Sequence, residues 1–224
     1  MDIRHFVTKG KEATLYKASE PDKPLIILNN YAGDGSSVVK AMEKYGGLKC
    51  NLLSVGGLAW DHDMTPWQCP PVFPGDTPCT GGADKYLEIL LSEIIPKARH
   101  LMPGIPPFLG ISGYSLAGLF ALYALYKCNL FDRAASMSGS LWFPEFKEFC
   151  LSHSMMCNPE KVYLSLGDEE SKSRNKVLKT VLDNTEAIAA HYRNIGLDVK
   201  WELNPGGHFK DAAIRSAKGI MEIQ

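Results

Sequence analysis

Phe108-Leu109-Gly110-Ile111-Ser112-Gly113-Tyr114-Ser115-Leu116-Ala117-Gly118, followed by the apolar run Leu119 to Tyr126, decides how this sequence is read. The first five residues have the look of a buried strand and the last run that of a helix, with a Gly-x-Ser-x-small string between them. A strand that turns sharply into a helix at such a string is the setting of a nucleophile elbow. Gly113 and Ala117, two positions either side of Ser115, are small enough to let a strained turn pass close to neighbouring strands. The hydroxyl would then project from the carboxyl edge of the sheet. The string alone would equally suit a helix start capped by Ser115. Its place after a mid-chain strand and before a long apolar helix favours the elbow.

The surrounding sequence supplies a sheet for that strand. Short apolar runs near 24–29, 49–55, 107–112, 133–138, 161–166 and 198–203 alternate with helix-like stretches. This alternation predicts a mainly parallel sheet with helices on both faces. Residues 3–8 and 12–18, around Lys9-Gly10-Lys11, predict an antiparallel hairpin before it. Leu87, Leu90, Leu91, Ile94 and Ala98 form one helical stripe, with Pro96 expected to kink or end it; Val177, Val181, Ile188, Tyr192 and Ile195 form another. The expected fold class is α/β, the α/β-hydrolase fold, as one domain over residues 1–224. The stretch 56–82, rich in Pro, Gly and Trp, has neither period and reads as a long functional loop.

Composition narrows the function. The chain has 224 residues, 45% hydrophobic and 22% charged, with a formal net charge of -1. Its Lys and Arg are scattered, so it carries no electrostatic footprint for nucleic acid or an anionic membrane, and a small, weakly charged substrate is expected. Met1 to Val7 carries Asp2 and Arg4 and lacks the apolar run of a signal peptide, which makes cytoplasmic residence the expectation. The six cysteines show no disulfide framework and read as mostly reduced thiols.

A serine hydroxyl attacks at neutral pH only when a base takes its proton, and in this fold the order is Ser, acid, His. His208, in Asn204-Pro205-Gly206-Gly207-His208-Phe209 after the last predicted strand, meets that demand. His5 and His62 precede the serine, while His153 and His191 belong to helical surroundings. The acid is expected in Gly167-Asp168-Glu169-Glu170-Ser171, where any of three carboxylates could orient the imidazole. An oxyanion hole needs two aimed backbone N–H groups. Leu116 would supply one, and the turn after Leu25-Ile26-Ile27-Leu28 the other, at Tyr31 with Ala32 and Gly33 as alternatives. Cys150, His153 and Cys157, or Asp61-His62-Asp63, have metal-like spacing but fall short of a four-ligand set, and neither metal nor cofactor is expected.

The elbow at 113–118, the segment Ser138-Gly139-Ser140-Leu141-Trp142-Phe143 and the histidine loop 204–209 together resemble the putative-esterase family of α/β-hydrolases. That family includes esterase D, enterobactin-type siderophore esterases and feruloyl esterases, and the similarity spans roughly Pro24 to Gly219. The resemblance implies a serine esterase acting on a small-molecule ester through an acyl-enzyme. Its Gly-x-x-Asp/Glu pattern favours Glu170 over Asp168 as the acid, and it implies that Trp142 and the long loop line the substrate site. Trp60, Asp61, Asp63, Met64, Trp67 and Phe73 put aromatic and acidic groups in that loop, near the carboxyl edge where such folds bind ligands. The same machinery would serve a thioesterase, an acyltransferase or a peptidase. A non-catalytic binding module on this scaffold would not need the serine, the histidine and the acidic loop. Oligomeric state is not legible.

Overall fold

The computed structural model describes residues 2–72 and 75–224. A hairpin opens the chain: β1 (Asp2–Thr8) turns at Lys9-Gly10 into β2 (Lys11–Lys17). The remaining main-sheet strands are β3 (Leu25–Asn29), β4 (Asn51–Gly56), β5 (Leu109–Tyr114), β6 (Arg133–Met137), β7 (Lys161–Gly167) and β8 (Asp198–Asn204). They form an eight-stranded sheet in the order β1-β2-β4-β3-β5-β6-β7-β8. β1–β2 and β2–β4 are antiparallel, and every later pairing is parallel. This is an α/β architecture with the expected hairpin at one edge.

Strand alternation feeds a core on each face. Leu25, Ile27, Leu53 and Val55 point to one side, while Ile26, Leu28 and Leu52 point to the other. The helices, in chain order, are α1 (Ser36–Met42), α2 (Ala83–Ile89), α3 (Ile95–Leu101), α4 (Leu116–Lys127), α5 (Phe146–Ser152), α6 (Val181–Asn194) and α7 (Ala212–Glu222). α2, α3, α4 and α6 cover the first face, with Tyr86, Leu90, Phe120, Leu122, Ile188 and Tyr192 fully buried. α1 and α7 cover the second, through Val38, Met42, Ala217 and Ile220. α4 is buried from Leu116 to Tyr126, as an all-round apolar helix must be. No helix among the described residues is long and apolar enough to cross a membrane.

Three local expectations change. Pro96 does not end its helix: α2 runs into α3 through a π-helical segment, Leu90–Ile94, where Ile95 N–H reaches back to Leu90 O. The widened turn lies directly before the proline, whose ring and missing N–H an ordinary turn would not accommodate. Val177 and Ile195 are exposed and lie outside α6: Asn175 accepts the Val177 N–H (2.8 Å) ahead of the 3-10 turn Leu178–Thr180 that leads into the helix, and Ile195 caps its other end. The fifth strand starts at Leu109 rather than residue 107, after Pro107, which has no N–H to give to the sheet. The stretch 56–82 contains one helical turn, Trp60–Asp63, and a two-residue ladder that pairs Gln68–Cys69 with Cys79–Thr80.

Candidate active site

β5 ends against the neighbouring strands, and the chain reverses into α4 through Ser115 at φ 59 and ψ -125. A non-glycine residue held there costs on the order of 1–3 kcal/mol and persists only when its surroundings fix it. Here the backbone is fixed on all sides. Ser115 N–H donates to Met137 O (3.1 Å), and Ser115 O accepts from Gly118 N–H (2.9 Å) and Ser140 N–H (3.0 Å). Gly113 is required by close approach, since a Cβ there would lie 2.3 Å from the Ala117 carbonyl carbon.

The register of the sheet brings the other two groups to this serine. β7 and β8 are parallel, with Gly167 opposite Asn204, so the loops that follow them leave the sheet at the same level. Glu170 stands on the one-turn 3-10 helix after β7, and His208 on the loop after β8. His208 Nδ1 donates to Glu170 Oε2 at 2.7 Å, and Ser115 Oγ lies 3.0 Å from His208 Nε2. A carboxylate can only accept, so in the neutral ring the proton belongs on Nδ1, which leaves Nε2 to accept from the serine. The Glu170 side chain is 5% exposed. Burial pushes its carboxyl pKa upward, but hydrogen bonding and charge from His208 and the Gly167 N–H outweigh this and hold it below the usual glutamate value. Asp168 instead accepts the Gly206 N–H at 2.7 Å.

Ser115 and His208 lie where two clefts meet. The larger, about 590 Å³, is lined by Asp61, Val72, Asp76, Ser140 and Trp142 among others. The smaller, about 370 Å³, is walled by Val38, Trp60 and Tyr31. Tyr31 packs edge-on against Trp60 with centroids 5.0 Å apart, and Phe209, 91% exposed, borders both clefts. Leu116 is the first residue of α4, where a helix has no internal acceptor for its N–H.

Two residues expected to line the substrate site, Asp63 and Trp67, are not among the residues that line these two clefts. Asp63 is buried in an ion pair with Lys11 and accepts the Ala59 N–H (2.7 Å), which fastens the helical turn to the hairpin. Trp67 gives its indole N–H to Pro144 O (3.1 Å) and packs on Phe143 and Phe149, so it anchors the loop to α5. Met64 is fully buried in the core, and Phe73 lies outside the described residues. His62 hydrogen-bonds Thr80 (2.7 Å), and His153 stacks on Phe149. Ser140, whose Oγ lies 3.3 Å from Ser115 Oγ, and Phe209 belong to the 138–143 and 204–209 motifs, but the sequence assigned neither a role. Arg215 gave no signal, because a lone arginine on an amphipathic helix normally reads as solvated.

The family model for "putative esterase" matches residues 59–208, from the long loop through the elbow and the acidic loop to His208. The chain belongs to this esterase family. A curated relative, the uncharacterized protein YbbA of Bacillus subtilis (strain 168), is 26% identical over 129 residues, 56% of this chain and 52% of YbbA. The match thus spans about half the length of that relative. The fold of this family member recurs in the siderophore hydrolase EstA from Aspergillus nidulans, with a TM-score of 0.71, 18% identity, and coverage of 99% of this chain and 93% of EstA. It recurs too in an IroE-like serine hydrolase from Shewanella oneidensis, with a TM-score of 0.74, 18% identity and coverage of 99% and 79%.

Proposed function

We propose that this esterase-family chain hydrolyses carboxylic esters of small molecules through an acyl-enzyme formed on Ser115. Ser115 Oγ attacks the ester carbonyl carbon while His208 Nε2 takes its proton, and His208 returns that proton to the departing alcohol. A water molecule, deprotonated in turn by His208, then releases the acid and restores the serine. Glu170 holds the imidazole in the required tautomer and stabilises the imidazolium as it forms. The Leu116 and Tyr31 N–H groups receive the oxyanion, and Trp142 and Trp60 line the two arms of the substrate site.

The observation that carries the reading is the unbroken relay from Ser115 Oγ to His208 (3.0 Å) to Glu170 (2.7 Å) at the mouth of a cleft of about 590 Å³. Membership of the esterase family supports the reaction class. Turnover of short-chain and long-chain p-nitrophenyl esters by the wild type, set beside Ser115→Ala, tests it. Ser115→Ala should lose on the order of 10⁶ in kcat while still binding substrate. Residual turnover within tenfold of wild type would end the proposal.

A further inference from the structure

Arg215 sits on α7 with its side chain 3% exposed, a burial that arginine tolerates only when its guanidinium is engaged on several sides. Nη1 donates to Ser138 Oγ (3.1 Å), and Tyr114 OH (3.3 Å) and Glu170 Oε1 (3.4 Å) lie within its reach. Nη2 donates to Pro205 O (3.0 Å). Tyr114, in turn, donates its hydroxyl to His208 O at 2.6 Å. These partners come from four chain segments. Tyr114 directly precedes the serine, Ser138 begins the turn that carries Ser140, Glu170 is the acid, and Pro205 lies three residues before the histidine. A Cβ at Gly167 would lie 2.1 Å from Gly206 O and 2.9 Å from Arg215 Nη1, so the two loops close tightly over the guanidinium.

We infer that Arg215 is a positioning residue for the Ser115, His208 and Glu170 array. This rests on the function proposed above. A planar fork with donors in fixed directions can tie four segments at once, and an ammonium group cannot. The guanidinium stands on the Oε1 side of Glu170 and the imidazole on the Oε2 side. Its charge therefore offsets part of the carboxylate charge that an imidazolium would feel. Arg215 fixes where the imidazole points and limits how firmly it keeps a proton that must pass to the leaving alcohol. The other titratable or charged groups around His208 are Asp168 and Tyr114, Lys210 and Asp211 on its own segment, and Asp61 and Asp76 across the cleft.

Steady-state kinetics of p-nitrophenyl ester hydrolysis from pH 5 to 9 with wild type, Arg215→Met and Arg215→Lys test the assignment. Arg215→Met should lower kcat by about 10²-fold with KM within about threefold, because misplacing reacting groups is felt in the chemical step. It should also move the acid limb of kcat/KM to higher pH by about half a unit to one unit, since the carboxylate charge is no longer offset. Arg215→Lys keeps the charge, so its acid limb should stay with the wild type while kcat recovers only in part. A folded Arg215→Met with kcat within about threefold of wild type and an unmoved acid limb would overturn the assignment. If circular dichroism shows Arg215→Met unfolded, Arg215→Lys decides, and wild-type kcat in that variant overturns it too. Fluorophosphonate labelling of the wild type separates the two layers. A wild type that takes no label at Ser115 refutes the underlying reading, whereas a labelled wild type with an indifferent Arg215→Met refutes the positioning role alone.

Discussion

Asp168 and Glu170 leave the same turn and hold different points of the histidine loop: Asp168 Oδ1 accepts the Gly206 N–H at 2.7 Å, and Glu170 Oε2 accepts from His208 Nδ1 at 2.7 Å. Only one of them touches the imidazole. The two amide substitutions should therefore differ sharply. Glu170→Gln should lower kcat by more than about 10²-fold with little change in KM, because the amide no longer supports an imidazolium. Asp168→Asn keeps an acceptor for Gly206 and should stay within about tenfold of wild type. Measuring both under one set of conditions checks this, and the reverse ranking would transfer the orienting role to Asp168.

The depressed Glu170 pKa has a consequence for stability. Burial opposes ionisation, but His208 and the Gly167 N–H more than compensate, so the folded-state value lies below that of the unfolded chain. A group of this kind contributes stability that is present above the unfolded value, about 4.3, and is lost as pH falls through the folded value. Urea midpoints between pH 3 and 6 should drop less steeply for Glu170→Gln than for wild type. Parallel slopes would show that Glu170 is not part of the acid-sensitive set.

Asp63 and Lys11, with side chains 8% and 11% exposed, form a buried pair that lines neither cleft. Asp63→Ala leaves the ammonium without its partner and should destabilise the protein by about 3–5 kcal/mol in denaturant titrations. Lys11→Met combined with Asp63→Ala should recover part of that loss. KM for esters should change little in either, and a KM rise without a stability loss would return Asp63 to the substrate site.

Trp142 and Trp67 make a second contrast. Trp142 borders the larger cleft, while Trp67 is spent on Phe143, Phe149 and Pro144. Trp142→Ala should raise KM for bulky esters with a modest loss of stability. Trp67→Ala should cost about 3 kcal/mol of stability, since it empties a packed aromatic cluster, and leave KM within about twofold in the folded enzyme. Equal KM effects from both would place Trp67 at the substrate.

How much of this was legible beforehand follows from how local each signal is. Strand and helix periods announce themselves within a few residues, and the order Gly113 to Gly118, then Gly167 to Ser171, then His208, already implied convergence once a parallel sheet was granted. Boundaries slipped where single residues override the period, as Pro107 and Asn175 do. The long loop was opaque for a different reason. Trp60, Asp63 and Trp67 look alike in sequence, and only their partners, Tyr31, Lys11 and Pro144, decide which faces a cleft and which is buried. Arg215 was invisible because its four partners lie 10 to 101 residues away along the chain.

The central claim is that Ser115, activated by His208, forms the covalent bond. The most direct measurement is intact-mass and peptide mapping after treatment with a fluorophosphonate probe. The account predicts one adduct, on Ser115, absent in Ser115→Ala and formed at least about 10³-fold more slowly in His208→Ala, where no base takes the serine proton. An adduct on another residue, or ester turnover that survives both the label and Ser115→Ala, would contradict it.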